Sequence, residues 1–124
     1  MLSHEKFSGR PILFVDDDQR WLKLIERWFE DSSYECVFVN SGKQALAEID
    51  KQSFDVVVSD ISMPEVSGID LMNMVKLKLP NAARIVMSGK MDLVGSIEAI
   101  NKGRVLRYLV KPCDGKALKL AVYE

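Results

Sequence analysis

The chain has 124 residues and a formal net charge of −1, which is enough for one ordinary domain and too little for two independent cores. A hydrophobic fraction of 48% with 28% charged residues is typical of a globular protein and not of a disordered one. The near balance of charges gives no electrostatic reason to expect nucleic acid or an anionic membrane as a primary partner.

The first part of the chain alternates short apolar runs with amphipathic segments. Residues 11–15 form an apolar run, PILFV, that predicts a strand buried on both faces. Residues 35–39 predict a second strand, and Ser41 with Gln44 three residues later forms a capping box that opens a second helix. Between the two strands, apolar residues at helical spacing predict a helix from Gln19 to about Asp31. These residues are Trp21, Leu24, Ile25, Trp28 and Phe29.

The alternation continues to the end of the chain. The β-branched run over 54–59 predicts a third strand ending at Asp60, and a loop over 61–68 leads to a helix that Ser67 caps and Pro80 ends. Residues 84–87 and 105–110 predict the fourth and fifth strands. Residues 91–102 predict the helix between them, with Gly103 as its C-terminal cap. Five strand–helix units predict an α/β domain with a mainly parallel sheet and helices on both faces.

The ends of the chain carry expectations of their own. Residues 1–8 are expected to be an N-terminal extension of a domain over 9–124. The last predicted helix, 114–124, is short and stops at Glu124 without a cap, so we expect it to be truncated and any output domain to be encoded beyond it. No apolar run approaches the ~20 residues of a membrane span, and the N-terminus has no signal-peptide core, which favours a cytoplasmic location.

Histidine and cysteine usage narrows the chemistry further. The single histidine, His4, lies near the N-terminus, which argues against a Ser/His/Asp triad and against a His-rich metal site. Cys36 and Cys113 are far apart and form no CxxC pair, so they fit a reducing compartment and are expected to be inert. Any chemistry is therefore expected to use carboxylates.

Polar side chains follow the carboxyl ends of four predicted strands. Asp16 and Asp17 follow the first strand, Asp60 the third, Ser88 the fourth and Lys111 the fifth. Ligands of open parallel sheets bind at this edge, and a strand order of 2-1-3-4-5 would bring the three aspartates together. Each pair of carboxylates at ~4 Å repels by about 4 kcal/mol at an effective dielectric of 20. A cation is therefore expected, and oxygen ligands favour Mg²⁺. A carboxylate nucleophile, a divalent metal, an ammonium and a hydroxyl together resemble a phosphoryl-transfer site.

Four motifs, ILFVDDD, VVVSDISMPEVSG, RIVMSG and RYLVKP, occur in this order, and with them the chain resembles the receiver domains of two-component response regulators. The resemblance implies a doubly wound, flavodoxin-like sheet of five parallel strands in the order 2-1-3-4-5. It also implies a switch that accepts a phosphoryl group from a histidine kinase or a phosphotransfer protein. Such a switch speeds its own phosphorylation and slow dephosphorylation, and it is not a metabolic enzyme. Residues 97–112 are further similar to receivers linked to cyclic-dinucleotide phosphodiesterase or protein-phosphatase outputs.

The resemblance assigns the metal and phosphoryl site residue by residue. Asp60 falls on the phosphorylated aspartate. Asp16 and Asp17 fall on the acidic pair that binds Mg²⁺, with Asp17 as the direct ligand, and Asp60 and the backbone carbonyl of Ser62 complete the set. Ser62 also lies where the family tunes the lifetime of the phosphoryl group, as does Lys90, so that lifetime stays open.

The resemblance also assigns a switch. Ser88 falls on the hydroxyl that turns towards the phosphoryl group, where Thr is frequent, and Lys111 on the lysine that contacts it. Tyr108 matches the rotating aromatic, and the peptide before Pro112 is one that receivers usually hold cis. Cys113 stands where an aromatic is common. The face formed by the fourth helix, fifth strand and fifth helix would then contact an output domain or a second copy in a phosphorylation-dependent dimer. Residues on or near that face are Met91, Val94, Ile97, Val105 and Arg107.

Two alternative functions stay open from the residues alone. A haloacid-dehalogenase-type phosphatase has an apolar strand running into DxD, and Asp16 and Asp18 have that spacing, although Arg20 stands where that family has Thr or Val. Asp18 has the simpler interpretation of a helix N-cap. The other alternative is a receiver-like docking module that is never phosphorylated. An FMN site and a P-loop are disfavoured, because the loop DDDQR would repel phosphate and no GxxxxGK[ST] is present.

Overall fold

Five parallel strands form one sheet in a computed structural model of the chain, which describes residues 10–88, 106–111 and 113–123. The strands are β1 (Pro11–Val15), β2 (Glu35–Val39), β3 (Val56–Asp60), β4 (Ala83–Ser88) and β5 (Leu106–Val110). Their order is β2-β1-β3-β4-β5, which confirms the predicted topology. The direction of winding therefore reverses between β1 and β3, where a doubly wound sheet has its switch point.

The described residues contain four helices: α1 (Gln19–Trp28), α2 (Gly42–Lys51), α3 (Gly68–Lys78) and α4 (Gly115–Tyr123). The helix predicted over 91–102 lies outside the described residues, so α4 corresponds to the last predicted helix. Within the described ranges, no helix combines the length and the apolar character needed to cross a membrane.

Side-chain caps explain where the first three helices begin. Asp18 accepts hydrogen bonds from the backbone N–H groups of Arg20 and Trp21, at 3.0 and 3.3 Å. Ser41 and Ser67 each accept one from the residue three positions later, at 3.1 and 3.2 Å. These bonds satisfy N–H groups that have no partner within the helix, and they confirm the predicted caps.

The first helix ends earlier than predicted. It stops at Trp28 instead of near Asp31, and Phe29 takes a non-helical conformation. The reason is Ser32, whose backbone N–H and hydroxyl both bind the carbonyl of Phe29, at 3.1 and 2.9 Å. A local side-chain bond thus replaces the next helical turn, although the apolar spacing continues through Phe29.

Both faces of the sheet are buried, as predicted for β1. Successive strand residues point to opposite faces, so α2 and α3 cover one set of side chains while α1 and α4 cover the other. The first set includes Leu13, Val15, Val57 and Val86, and the second includes Ile12, Phe14, Val58 and Ile85. β1 and β3 pair with Val15 opposite Ser59, which places the next residues, Asp16 and Asp60, beside each other at the carboxyl edge.

Candidate functional site

Three carboxylates meet at the switch point between β1 and β3. Asp16 is fully buried, Asp60 is 8% exposed, and Asp17 is exposed. Each residue offers a carboxylate oxygen, and these oxygens all lie within 4.8 Å of one another. The predicted convergence of the three aspartates is therefore observed, and the cluster has the size and the donor type of a site for a divalent cation.

Backbone N–H groups orient the two buried carboxylates. Asp16 Oδ1 accepts a bond from the N–H of Asp18 at 2.9 Å, and Asp60 Oδ1 accepts one from the N–H of Ile61 at 3.0 Å. The cap at Asp18 and the strand end at Asp60 thus hold the side chains that face the site. In this arrangement Asp18 is the cap of α1, while Asp16, Asp17 and Asp60 form the cluster.

Lys111, which follows β5, reaches this cluster. Its Nζ lies 2.6 Å from Asp16 Oδ2 and 3.7 Å from Asp60 Oδ1, and its side chain is 20% exposed. Its backbone N–H donates to the carbonyl of Ser88 at 2.7 Å, which anchors the chain beyond β5 to the end of β4. One ammonium is therefore shared by two buried carboxylates.

The electrostatics of the cluster call for a cation. Burial and the neighbouring charge of Asp16 raise the pKa of Asp60 to about 6, against the opposing effect of Lys111. Burial likewise raises the pKa of Asp16, and its hydrogen bond with Lys111 opposes this shift. Three carboxylates beside one ammonium leave two negative charges uncompensated when all are ionised, and a bound divalent cation would neutralise them.

The loop after β3 folds tightly against the strand end. A side chain at Gly68 would overlap the carbonyl oxygen of Asp60 and would lie 2.6 Å from Ile61 Cα. The N–H of Gly68 donates to the carbonyl of Ile61 at 2.9 Å, and Glu65 takes a positive φ of 67°. Ser62 is exposed at the start of this loop. The sequence marked Gly68 only as a loop end, whereas the structure shows a close backbone contact that fixes Asp60.

The structure describes only some of the remaining predicted site residues. Ser88 is fully buried at the end of β4, and Tyr108 lies in β5 opposite Val86. Arg107 also lies in β5, opposite Ile85. Other predicted positions lie outside the described residues; they are Lys90, Met91, Val94, Ile97, Val105 and Pro112.

One residue of the site was missed in the sequence. Trp21 was one of the apolar residues that predicted the first helix, and it is 9% exposed. Its ring also lies beside Lys111, with 5.4 Å between the ring centroid and Nζ. A hint was available, because Trp21 occupies the first turn of the helix that follows the three aspartates. Trp21 lies next to Lys111 because of the sheet topology, and no local sequence pattern indicates this contact.

The comparisons with known proteins agree with this geometry. The family model of the response regulator receiver domain matches residues 12–123. The chain belongs to this family. The receiver is 32% identical over 113 residues to the transcriptional regulatory protein ZraR of Klebsiella oxytoca, an alignment that covers 91% of the chain and 25% of that protein. The chain thus spans about a quarter of the length of the curated relatives it matches.

Solved structures show the same receiver fold. A response regulator receiver domain protein from Clostridium thermocellum superposes with a TM-score of 0.84 at 31% identity, covering 91% of this chain and 90% of that one. The signal receiver domain of an HD domain-containing protein from Pseudomonas fluorescens gives 0.86 at 30% identity, covering 93% and 92%.

Membership of this family establishes the general class of function of the domain. As a response regulator receiver, the domain is a phosphoacceptor switch of two-component signalling and not a catalytic enzyme in its own right. Neither the phosphatase alternative nor the docking-module alternative gains support from these relatives.

Proposed function

We propose that this receiver accepts a phosphoryl group on Asp60 from a histidine kinase or a histidine phosphotransfer protein. The observation that carries the proposal is the group of Asp16, Asp17 and Asp60 oxygens within 4.8 Å of one another, with the Lys111 ammonium 2.6 Å from Asp16. This is the set of groups that phosphoryl transfer requires, a carboxylate nucleophile beside sites for a cation and an ammonium.

Mg²⁺ is the proposed cation, and the chain offers the oxygen donors that it prefers. Asp16, Asp17 and Asp60 would hold it, together with the backbone carbonyl of Ser62. The bound ion would neutralise charge on the oxygens of the transferring phosphoryl group.

Asp60 is the proposed nucleophile. Its carboxylate oxygen forms a new O–P bond while the P–N bond of the donor phosphohistidine breaks, so the domain gains an acyl phosphate and the donor regains its imidazole. The pKa of about 6 leaves Asp60 ionised at neutral pH even before a cation binds. The N–H of Ile61 donates to Asp60 Oδ1 at 3.0 Å and so helps to orient the attacking carboxylate.

Lys111 and Ser88 are the proposed readout of the new charge. Lys111 Nζ lies 3.7 Å from Asp60 Oδ1, so a small movement away from Asp16 lets it bind the phosphoryl oxygens. The Ser88 hydroxyl would turn to the same group and Tyr108 would follow it inward. The face formed by the fourth predicted helix, β5 and α4 then changes shape. We propose that this face contacts a C-terminal output domain or a second copy of the chain.

The setting of the switch is proposed from the same family. Residues 9–124 would form the receiver, residues 1–8 an N-terminal extension, and the whole would act in the cytoplasm. The receiver would also phosphorylate itself from small acyl phosphates and slowly lose the group. The ZraR relative is named a transcriptional regulatory protein and a structural neighbour is HD domain-containing, which supports an output domain without choosing between these kinds.

Labelling with a small acyl-phosphate donor tests the proposal. The full chain is incubated with acetyl phosphate and Mg²⁺, and the labelled residue is mapped by mass spectrometry. We expect one Mg²⁺-dependent label on Asp60, none in Asp60→Asn, and normal labelling in Asp55→Asn, whose exposed carboxylate pairs with Arg10. A label on Asp16 would favour the phosphatase alternative. A stoichiometric label that survives in Asp60→Asn overturns the receiver mechanism, and an unlabelled wild type that still binds a partner favours the docking module.

Lys111→Ala separates phosphorylation from its readout. We expect the variant still to accept label on Asp60, at a reduced rate, while losing the phosphorylation-dependent change in partner affinity or dimerisation, measured by sedimentation at equal labelling. An unaltered response of this variant would contradict the role of Lys111.

A further inference from the structure

A tryptophan ring lies against the ammonium that serves the candidate site. Lys111 Nζ is 5.4 Å from the centroid of the Trp21 ring, within the ~6 Å range of a cation–π contact. Trp21 is 9% exposed and the Lys111 side chain 20%. Both partners are therefore largely removed from water, where such a contact is strongest.

Two carboxylates attract the Lys111 ammonium at unequal distances. Its ammonium is a point charge on a flexible four-carbon stem, and Asp16 at 2.6 Å and Asp60 at 3.7 Å draw it towards one end of the site. The ring attracts the charge without competing as an anion. Nζ thus has three attractive neighbours, the two carboxylates and the ring.

The ring is itself held firmly. The backbone N–H of Trp21 donates to Asp18 Oδ1 at 3.3 Å, and Trp28 meets the ring edge-on, with centroids 5.6 Å apart and an interplanar angle of 89°. Trp28 in turn is packed against the start of α4, because a side chain at Gly115 would lie 2.9 Å from its ring atoms. A firmly held ring is the property that a positioning residue requires.

Burial alone does not account for an indole at this position. Trp21 Nε1 is buried and has no hydrogen-bond partner among the described residues. An unpaired buried N–H is unfavourable, and Phe or Leu would fill the core without it. What Trp adds over these residues is a ring face with the strongest attraction for a cation.

We propose that Trp21 is a positioning residue for Lys111, holding its ammonium between Asp16 and Asp60 so that it meets the incoming phosphoryl group. The part that concerns phosphorylation rests on the proposed function. The part that concerns the Trp21–Lys111 contact does not, and the two are measured separately.

A double-mutant cycle tests the proposal on the full chain. Trp21→Leu, Lys111→Met and the double variant are compared. Phe29→Leu, made in both Lys111 backgrounds, is the matched control, since Phe29 is a buried aromatic of the same core that packs on Phe14 and Tyr34. We expect Trp21→Leu to slow Mg²⁺-dependent labelling by acetyl phosphate by about tenfold. In the Lys111→Met background the same change should slow it by less than about twofold. Phe29→Leu should have the same effect in both backgrounds.

The same variants are unfolded in urea without any phosphoryl donor. Trp21→Leu should raise the unfolding equilibrium constant in both backgrounds. We expect this increase to be about tenfold larger when residue 111 is Lys than in the Lys111→Met background. Trp21→Phe, which keeps a ring face, should fall between wild type and Trp21→Leu in both measurements, and it replaces Trp21→Leu in the cycle if that variant does not fold.

The outcomes separate the two proposals. Equal effects of the Trp21 change in both Lys111 backgrounds, in labelling and in unfolding, overturn the positioning role and leave Trp21 as core. A wild type that never labels on Asp60 contradicts the proposed function. In that case coupling between Trp21 and Lys111 in urea still supports their contact, and the absence of coupling in urea still contradicts the contact. Coupling in urea without coupling in labelling overturns the part of the inference that concerns phosphorylation.

Discussion

Replacing Asp60 with Asn should stabilise the metal-free domain. Asp60 is 8% exposed, and its carboxylate shares a 4.8 Å cluster with Asp16 and Asp17. Burial and the charge of Asp16 raise its pKa to about 6 from an ordinary value of 3.8, so the folded domain holds an ionised group at neutral pH in a place that disfavours its charge. Asn has nearly the same shape and keeps the oxygen that accepts the N–H of Ile61.

The magnitude follows from the two pKa values. One pKa unit corresponds to about 1.36 kcal/mol, so a rise from 3.8 to about 6 corresponds to about 3 kcal/mol of destabilisation by the ionised carboxyl. Between these two pKa values the folded state binds more protons than the unfolded state, so the free energy of unfolding falls as the pH rises from one value to the other. The destabilisation by ionised Asp60 is complete above pH ~6 and absent well below pH ~4. Asp60→Asn should therefore gain about 2–3 kcal/mol at pH 7.5 and much less at pH 4.

Urea unfolding followed by circular dichroism, in EDTA, measures this gain at both pH values. Asp31→Asn is the control, because Asp31 is exposed and such changes usually alter stability by less than about 0.5 kcal/mol. Added Mg²⁺ should then stabilise wild type by about 2.7 kcal/mol at a hundred times its dissociation constant and stabilise Asp60→Asn much less. An Asn variant no more stable than wild type at pH 7.5 in EDTA, or equally stabilised at pH 4, would refute the reasoning.

Three further predictions concern the frame of the site. Asp18→Ala removes the cap of α1 and should cost about 1 kcal/mol in urea unfolding, and a change below 0.3 kcal/mol would contradict the cap. Gly68→Ala places a methyl group on the carbonyl of Asp60; it should cost about 2 kcal/mol or more and weaken Mg²⁺ binding measured by calorimetry, and an unchanged affinity would show that the loop adapts. Burial raises the pKa of Cys36 to about 11 from 9.0. In a Cys113→Ser background it should therefore react with a thiol reagent at pH 8 about a hundredfold more slowly than free cysteine, with a rate still rising at pH 10; a plateau below pH 9 would disprove the shift.

Local patterns were sufficient to predict most of the fold. The apolar run of β1, the capping residues Ser41 and Ser67 and the alternation of strands and helices led to the observed elements because each depends on neighbours in the sequence. The end of α1 was wrong by a few residues. Its apolar spacing continues past Trp28, and the competing bonds from Ser32 to the carbonyl of Phe29 are not part of any helical pattern.

The candidate site was predictable only where strand ends determine it. Asp16 and Asp60 lie at the carboxyl ends of neighbouring strands, so the strand order was enough to bring them together. Trp21 and Lys111 lie far apart in the sequence, and only their packed positions show the contact. The roles of Tyr108 and Pro112 stay predictions from the family resemblance.

The strand order has a consequence for when the site exists at all. Asp16, Asp60 and Lys111 come from three distant parts of the chain and meet only after β1, β3, β4 and β5 have paired. Parallel pairing joins segments that are remote in sequence, and such contacts form slowly during folding. A partly folded chain in which β5 has not paired therefore lacks the ammonium of Lys111 beside the three aspartates. Cation binding by the three aspartates would thus report only that β1 and β3 have paired. The contact of Lys111 with Asp16 and Asp60 also requires β4 and β5, so a signal that uses Lys111 could pass only through an assembled sheet.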